Sequence, residues 1–430
     1  MFDRYRKRLK QDLDRWISAG LVPAENRAAI LDDVSAEPAQ WSAPGAAAIL
    51  GAVLLGLASL SFVAANWAEL ERAVRFALII TALWASFGGA AFAFARGNSA
   101  IGHALALLGA TLFGGAIALT AQTFNLSAFR NTGVLIWAIG ALGAALAIPS
   151  RPVLILAAAV SLGWLVSEAQ NPLGPPITWI FPLIFLAGAA AASRLQSSAA
   201  MNLLAVSLGG WIVHMLHEIH PVYRLDGAAA SASFALISAA IALAAGALRD
   251  RAIAGAGVVA GWAVAGAAGG VFALQIGVDA RDPSLSAAYP AIAAPALVAA
   301  LALTGFQAYS RRIGRASAAA LAGAGVVSFA LPFAIATAGD GLVDALQIAL
   351  GALVFAAATA LILLGAAPGR RLTGAAGAAL FIAQAIYVYA ELFGGLLGTA
   401  AFFFVGGVLM IALSVALGRI AQRLGRGDRS

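Results

Sequence analysis

The chain contains no cysteine, and this absence removes several kinds of chemistry. Disulfides, thiolate metal sites and cysteine nucleophiles all require that residue. Lysine is almost as scarce: Lys7 and Lys10 are the only two, so no apolar segment holds a lysine for a phosphate loop or a Schiff base. The GxSxG pattern of serine hydrolases is missing as well. Enzymatic activity is therefore the least favoured class of function, and we expect no cofactor.

Charged residues are also few. They make up 10% of the chain, whereas 62% of the residues are hydrophobic, and soluble domains are typically about 25% charged. Apolar runs recur along the whole length, each about as long as the 20 or so residues that a helix needs to cross a bilayer. The composition predicts an all-α fold, a polytopic transmembrane helical bundle.

Fourteen candidate spans follow from the positions of these runs. The first seven are 44–65, 75–95, 100–121, 132–149, 152–168, 175–193 and 199–217. The second seven are 227–248, 252–276, 287–309, 315–337, 342–366, 372–393 and 395–417. The first 40 residues are polar and charged, so no cleavable signal peptide is expected there.

The basic residues indicate how these spans are oriented. With a cytoplasmic N-terminus, 21 of the 26 lysines and arginines lie on the cytoplasmic side and five lie outside. Cytoplasmic loops carry such an excess of basic residues. We therefore expect a protein of the cell inner membrane with both termini in the cytoplasm. The net charge of +7 then reflects arginines that hold loops on one side of the membrane. The expected partners are membrane lipids, and no nucleic-acid partner is expected.

Four segments follow from this pattern: a cytoplasmic hairpin at 1–40, transmembrane halves at 44–217 and 227–417, and a basic cytoplasmic tail at 418–430. In the hairpin, one helical face carries Tyr5, Leu9, Leu13, Trp16 and Ile17, and Gly20 ends the helix. This amphipathic hairpin rests on the protein's own cytoplasmic face or on lipid headgroups, or it docks a cytoplasmic protein partner.

The segment HMLHEIH holds three of the four histidines. A spacing of three places His214 and His217 on one helical face, where they and Glu218 are candidate zinc ligands. The alternative is a polar helix end at the outer interface, with Pro221 ending the helix.

Four glutamines lie within the apolar spans: Gln275, Gln307, Gln347 and Gln384. Such side chains either join helices by hydrogen bonds or bind a solute. Two acids, Asp344 and Glu391, lie near outer span ends. No acid falls clearly at mid-depth, which argues against a strongly coupled ion pump.

Two further motifs end spans one and three on the predicted outer side. Asn66 and Trp67 close AANW, with Arg72 shortly after it, and Gln122 and Asn125 close the second run. These five residues are the candidate ligand-binding patch, because polar side chains there face the bundle or water. If spans one and three pack together, Gly109, Gly114 and Gly115 are expected to form the contact surface.

The helix-turn WISAGLVPAENRAAIL, the AANW segment followed by an arginine, and GGAIALTAQ together resemble a family of predicted bacterial membrane proteins with no assigned activity. The resemblance covers roughly residues 10 to 170. It implies a membrane location and a multi-helix architecture, and it supplies no catalytic residues.

The function classes that remain are a transporter, flippase-like, for a small or lipidic solute, and a non-transporting scaffold or sensor with a cytoplasmic docking hairpin. Many glycines and short cytoplasmic turns permit the first class. Paired discontinuous helices at the midplane would favour transport, and a solid helical bundle without a polar cavity would favour a scaffold.

Overall fold

The computed structural model describes residues 9, 12–28, 30–31, 43–66, 71–123, 131–171, 177–223, 225–277, 288–338, 340–366 and 371–392. Within these ranges all regular secondary structure is helical, which confirms the predicted fold class. Thirteen long helices follow one another: α1 (Ala43–Asn66), α2 (Arg72–Ala95), α3 (Ser99–Thr123), α4 (Thr132–Ala147), α5 (Arg151–Ala169), α6 (Phe181–Arg194), α7 (Ser198–Tyr223), α8 (Gly227–Arg249), α9 (Ala256–Gly277), α10 (Ala288–Tyr309), α11 (Arg315–Thr337), α12 (Asp340–Gly365) and α13 (Arg371–Leu392).

These helices coincide with the first thirteen predicted spans, and the fourteenth, at 395–417, lies outside the described residues. Ten helices in the described part are long and apolar enough to cross a membrane, while 47–58, 132–147 and 178–194 are shorter apolar helices. Large apolar side chains on the surface, such as Trp84 and Ile348 at 75% exposed, fit a lipid environment. The membrane character is clear, and the number fourteen stays a prediction.

One helix end differs from its prediction. α7 continues through Pro221 to Tyr223, although the proline was expected to end it. A proline interrupts a helix by removing one backbone donor and crowding the carbonyl four residues earlier. Two residues from the helix end, this loss affects only the final turn.

Four turns between helices share one geometry. Each contains a residue in the left-handed region, with φ between 53° and 75°: Gly97, Gln196, Ala252 and Arg311. The next residue donates a backbone hydrogen bond to the carbonyl five positions earlier, as in Asn98 to Ala93 at 2.9 Å and Ile253 to Leu248 at 3.2 Å. This Schellman motif satisfies the last carbonyls of a helix within very few residues. It explains how consecutive helices connect through short turns.

The chain divides into two compact units, residues 1–112 and 113–430. In the first unit, residues 12–18 are helical and Gly20 follows with φ 72°. Arg27 Nε donates to Asp14 Oδ1 at 3.0 Å across this turn. The full amphipathic hairpin over 1–40 stays a prediction, as do the proposed limits of the two transmembrane halves.

In the second unit, α8 and α9 make the most extensive helix contact. Small residues allow it: a Cβ added at Gly270 would lie 2.9 Å from the backbone nitrogen of Ala235. Close approach of this kind is how helices gain van der Waals contact in lipid. The largest core cluster of this unit surrounds the fully buried Tyr289 of α10, whose hydroxyl donates to the Phe329 carbonyl of α11 at 2.9 Å.

This contact yields a first prediction. Gly270→Ala should lower the free energy of unfolding by about 1–3 kcal/mol, the usual cost of overpacking, because the new methyl group meets backbone atoms of α8. Gly269→Ala is the matched control, since a Cβ there has no neighbour within 4 Å and alanine favours the helix. Thermal unfolding of the detergent-purified variants measures both effects. Equal unfolding temperatures for the two variants would contradict the assigned packing.

Candidate functional site

The five residues of the predicted outer patch are only partly described. Asn66 is the last residue of α1 and Arg72 is the first of α2, but nothing is described of their side chains. Gln122 is exposed near the end of α3. Trp67 and Asn125 lie outside the described residues. The patch therefore stays a prediction.

The contact between α1 and α3 forms differently from the expectation. Gly56 of α1 faces α3, and a Cβ added to it would lie 3.2 Å from Thr111 Cγ2. Gly109 instead faces Phe87 of α2, and Gly114 faces Trp137 of α4. Gly109 and Gly114 of α3, which were expected to contact α1, thus contact other helices. They lie on different sides of α3, and each accommodates an aromatic ring from a different helix.

The histidine segment lies near the end of α7. His214 Nδ1 is 4.0 Å from Glu218 Oε1, with the imidazole 9% exposed and the carboxylate 41% exposed. His214 Nε2 has no hydrogen-bond partner among the described residues, and His217 is exposed. In the part of the chain that is described, no group of three or more potential ligands surrounds a common point. The side chain of His220 lies outside that part, so the metal site also stays a prediction.

The most prominent feature of the second unit is a cavity of about 990 Å³ bordered by α8 to α13. Its walls are mainly alanine, glycine, leucine and valine, as in Ala239, Ala242, Gly261 and Ala360. Small side chains on facing helices leave this volume unfilled. Ligand sites typically have such mostly apolar walls with a few polar groups, and volumes of roughly 300–1,000 Å³.

The polar groups of the cavity are unevenly placed. Arg249, the last residue of α8, and Arg371, the first of α13, line the end where the short turns lie. Deeper in the cavity are Thr304 and Gln307, both of α10. Gln307 Nε2 donates to the Leu243 carbonyl at 3.0 Å, which joins α10 to α8. The cavity therefore has a cationic mouth and a weakly polar interior.

A cluster of amides lies beyond the other end of the cavity. Gln275 and Gln384 are 2% and 0% exposed, and both approach Gly351 of α12. A Cβ added at Gly351 would lie 3.2 Å from Gln384 Nε2 and 3.3 Å from Gln275 Nε2. Beside them, Gln347 Nε2 donates to the Tyr387 hydroxyl at 2.9 Å. We call these four side chains, Gln275, Gln347, Gln384 and Tyr387, the amide cluster.

Sequence spacing places the amide cluster directly above the cavity lining. Gln384 follows the lining residue Leu380 by one turn on α13, and Gly351 precedes Val354 by one turn on α12. Neither amide atom of Gln384 has a hydrogen-bond partner within the described residues, nor has Gln275 Oε1. A buried polar group without a partner costs about 1–3 kcal/mol. Packing alone does not account for that cost. The amide cluster is therefore a candidate site for a polar group of a ligand, or a polar closure of the far end of the cavity.

A second buried polar group lies near the end of α5, beside the start of α4. Glu168 is 1% exposed and accepts hydrogen bonds from the backbone nitrogens of Asn131, at 3.2 Å, and Ile177, at 3.4 Å. The carboxylate thus satisfies donors at the start of α4 and before α6. No sequence pattern predicted the burial of Glu168, because an acid at the end of an apolar run is expected to face water.

In the sequence, Arg249 and Arg371 are only two of the 21 basic residues on the predicted cytoplasmic side, and no pattern indicated that both line a cavity. The recurrence of Ala and Gly along 235–268 was a signal for an unfilled volume, but the same residues equally indicate close packing. The four glutamines were recognised singly. Their convergence depends on which helices become neighbours.

Comparison with known proteins identifies part of the chain. Residues 14–154 match a family described as "Predicted membrane protein (DUF2157)", which confirms the resemblance inferred from the motifs. Neither curated proteins nor solved structures provide a match to the chain. The matched segment includes the predicted outer patch and ends within α5, whereas the cavity and the amide cluster lie beyond it.

The amide cluster yields a second prediction. Gln384→Met should leave the free energy of unfolding unchanged or raise it by up to about 3 kcal/mol, because two buried polar atoms without partners are removed at similar volume. Gln347→Met, the matched variant, should lower it, because the hydrogen bond from Gln347 Nε2 to the Tyr387 hydroxyl is lost. Thermal unfolding in one detergent compares the two. Greater destabilisation by Gln384→Met would show that a bound molecule satisfies that amide.

Proposed function

We propose that this membrane protein is a transporter, flippase-like in action, that moves a lipidic solute through the cavity bordered by α8 to α13. The single observation that carries the proposal is the cavity itself: about 990 Å³ in a bundle of apolar helices. Ligand sites typically lie in clefts of this kind between the helices of a bundle, whereas a solid bundle would favour a scaffold.

The chemistry of the walls supports a solute with a hydrocarbon portion. Each methylene group moved from water into apolar surroundings gains about 0.8 kcal/mol. In a membrane, the competing environment is the lipid itself, so the walls gain little by binding a tail alone. Selection of a solute therefore depends on the few polar groups of the lining. These are Arg249, Thr304, Gln307, Ser328, Arg371 and Thr373.

The order of these polar groups supports movement along the cavity. Arginines line one end, Thr304 and Gln307 lie inside, and the amide cluster lies beyond the far end. A polar headgroup crossing apolar surroundings needs such partners to reduce its cost of desolvation. The lining includes no carboxylate in the part of the chain that is described. We therefore propose equilibration of the solute between leaflets rather than ion-driven pumping.

The alternative is a non-transporting sensor, in which an occupied cavity alters the N-terminal hairpin. The Arg27–Asp14 ion pair across the turn at Gly20 favours a defined docking element there. This second function predicts solute binding without movement across the membrane.

A lipid-exchange experiment tests transport directly. The full chain is reconstituted into vesicles that contain fluorescent phospholipid, and a reductant that does not cross the membrane quenches the outer leaflet. We expect complete quenching with the wild-type protein and slow quenching with Ala360→Trp, because the indole fills the cavity that Ala360 lines.

Ala352→Trp is the matched control, since Ala352 is exposed on the same helix but does not line the cavity. It should behave as the wild-type protein does. Quenching of only the outer leaflet with wild-type protein, as in protein-free vesicles, would refute transport and leave the sensor.

A further inference from the structure

We infer that the solute is an anionic amphiphile, with a phosphate or carboxylate headgroup bound at the mouth lined by Arg249 and Arg371 and a hydrocarbon tail in the cavity. This inference rests on the proposed function for the cavity as the binding site, and it adds the chemical class of the ligand. It does not depend on whether the ligand is moved across the membrane.

The first support is the arrangement of charge. Arg249 and Arg371 come from different helices, 122 positions apart in the sequence, and both line one mouth. The cavity lining contains these two cations and, among the described residues, no carboxylate to balance them. Two guanidinium groups at one opening repel a cationic headgroup and leave a neutral one without a charged partner. An anion satisfies both, and guanidinium is well suited to carboxylate and phosphate oxygens.

The second support is the way in which Arg249 is held. Among the described residues it pairs with the carboxylate of Asp250, with Arg249 Nη2 to Asp250 Oδ1 at 3.5 Å and both side chains 37% exposed. This is longer than the 2.7–2.9 Å or so of a strong charge-assisted hydrogen bond. Asp250 therefore binds the guanidinium weakly, which leaves its other N–H donors for a ligand.

The third support is the glycine beneath the Arg249 side chain. A Cβ added at Gly257 would lie 3.2 Å from Arg249 Cδ, so the aliphatic part of the arginine lies flat on α9. Gly257 also lines the cavity. The glycine thus holds the arginine along the cavity wall, where a larger residue would displace it into solvent.

The cavity interior completes the amphiphile. Arg371 and Leu380, the first and last residues of α13 that line the cavity, are nine residue steps apart, which corresponds to about 14 Å of helix. Beyond the mouth, Val264, Val271 and Leu361 supply apolar wall. A ligand with its anion at the arginines therefore places its tail along this wall and toward the amide cluster.

Binding to the full-length, detergent-purified protein tests the inference, with thermal unfolding as the readout. The probes are oleoyl lysophosphatidate, which has an anionic phosphate, oleoyl lysophosphatidylcholine, which has the same tail and a zwitterionic headgroup, and inorganic phosphate. We expect lysophosphatidate to stabilise the protein at much lower concentration than either of the others. Binding raises the unfolding temperature in a concentration-dependent way, so apparent affinities follow from each titration.

Arg249→Gln and Arg371→Gln should each weaken the apparent affinity for lysophosphatidate roughly tenfold or more, because each removes a charged hydrogen-bond donor. Arg251→Gln is the matched control: it removes the same charge from the same turn at a residue that does not line the cavity. Its affinity should match that of the wild-type protein. Ala360→Trp tests the tail, and it should weaken binding while both arginines remain.

Three outcomes would overturn the inference. Equal affinity for lysophosphatidylcholine would show that binding does not require an anionic headgroup. Equal affinity for inorganic phosphate would show that it does not require the tail. An equal loss of affinity in Arg251→Gln would show that the two lining arginines are not the binding site. If Arg371→Gln does not fold, Arg249→Gln and Ala360→Trp still decide. Arginine-dependent binding without lipid exchange in vesicles supports the inference and refutes only transport.

Discussion

The backbone of this protein has to satisfy its own hydrogen bonds, because lipid offers none. Every regular element in the described residues is accordingly a helix. The backbone groups at the helix ends need hydrogen-bond partners as much as those in the middle do. At Gly97, Gln196, Ala252 and Arg311 a left-handed residue closes the last turn, and the chain reverses at once. Three of these residues are not glycine, so the repeated geometry is imposed by the need to end a helix quickly rather than by a convenient residue. Short reversals then bring each helix beside the next, and the remaining features depend on how these neighbours pack.

Small side chains have two opposite consequences in that packing. Between α8 and α9, Gly270 and Ala235 allow backbones to meet, and the contact is dense. On the side of α8 and α9 that faces α10 to α13, similarly small residues such as Ala239 and Ala260 line a cavity instead. The composition is alike on the two sides. What differs is the distance of the facing helices, which Gln307 fixes in part by its hydrogen bond from α10 to the Leu243 carbonyl of α8.

Local properties of this fold were predictable from the sequence, whereas properties that depend on which helices are neighbours were not. Helix limits follow from the length of apolar runs, a local property, and α8 at Gly227–Arg249 lies within one residue of the predicted 227–248. Which helix packs against a given glycine is a tertiary property. Gly109 of α3 was therefore expected to contact α1, although it faces Phe87 of α2. The convergence of Gln275 and Gln384 on Gly351 required knowing that α9, α12 and α13 are neighbours. A cavity is harder still to predict, because it is a space that no side chain fills and no single residue of the sequence indicates it.

The position of the cavity in the chain bears on how the protein is organised. The family match ends at residue 154, and the cavity lining begins at Ala235. Properties shared by proteins that match only the first segment therefore cannot depend on the cavity, on Arg249 and Arg371, or on the amide cluster. The AANW and GGAIALTAQ motifs lie in the matched segment, before Ala235 in the chain. The anionic amphiphile that we propose would therefore bind to residues outside the matched segment.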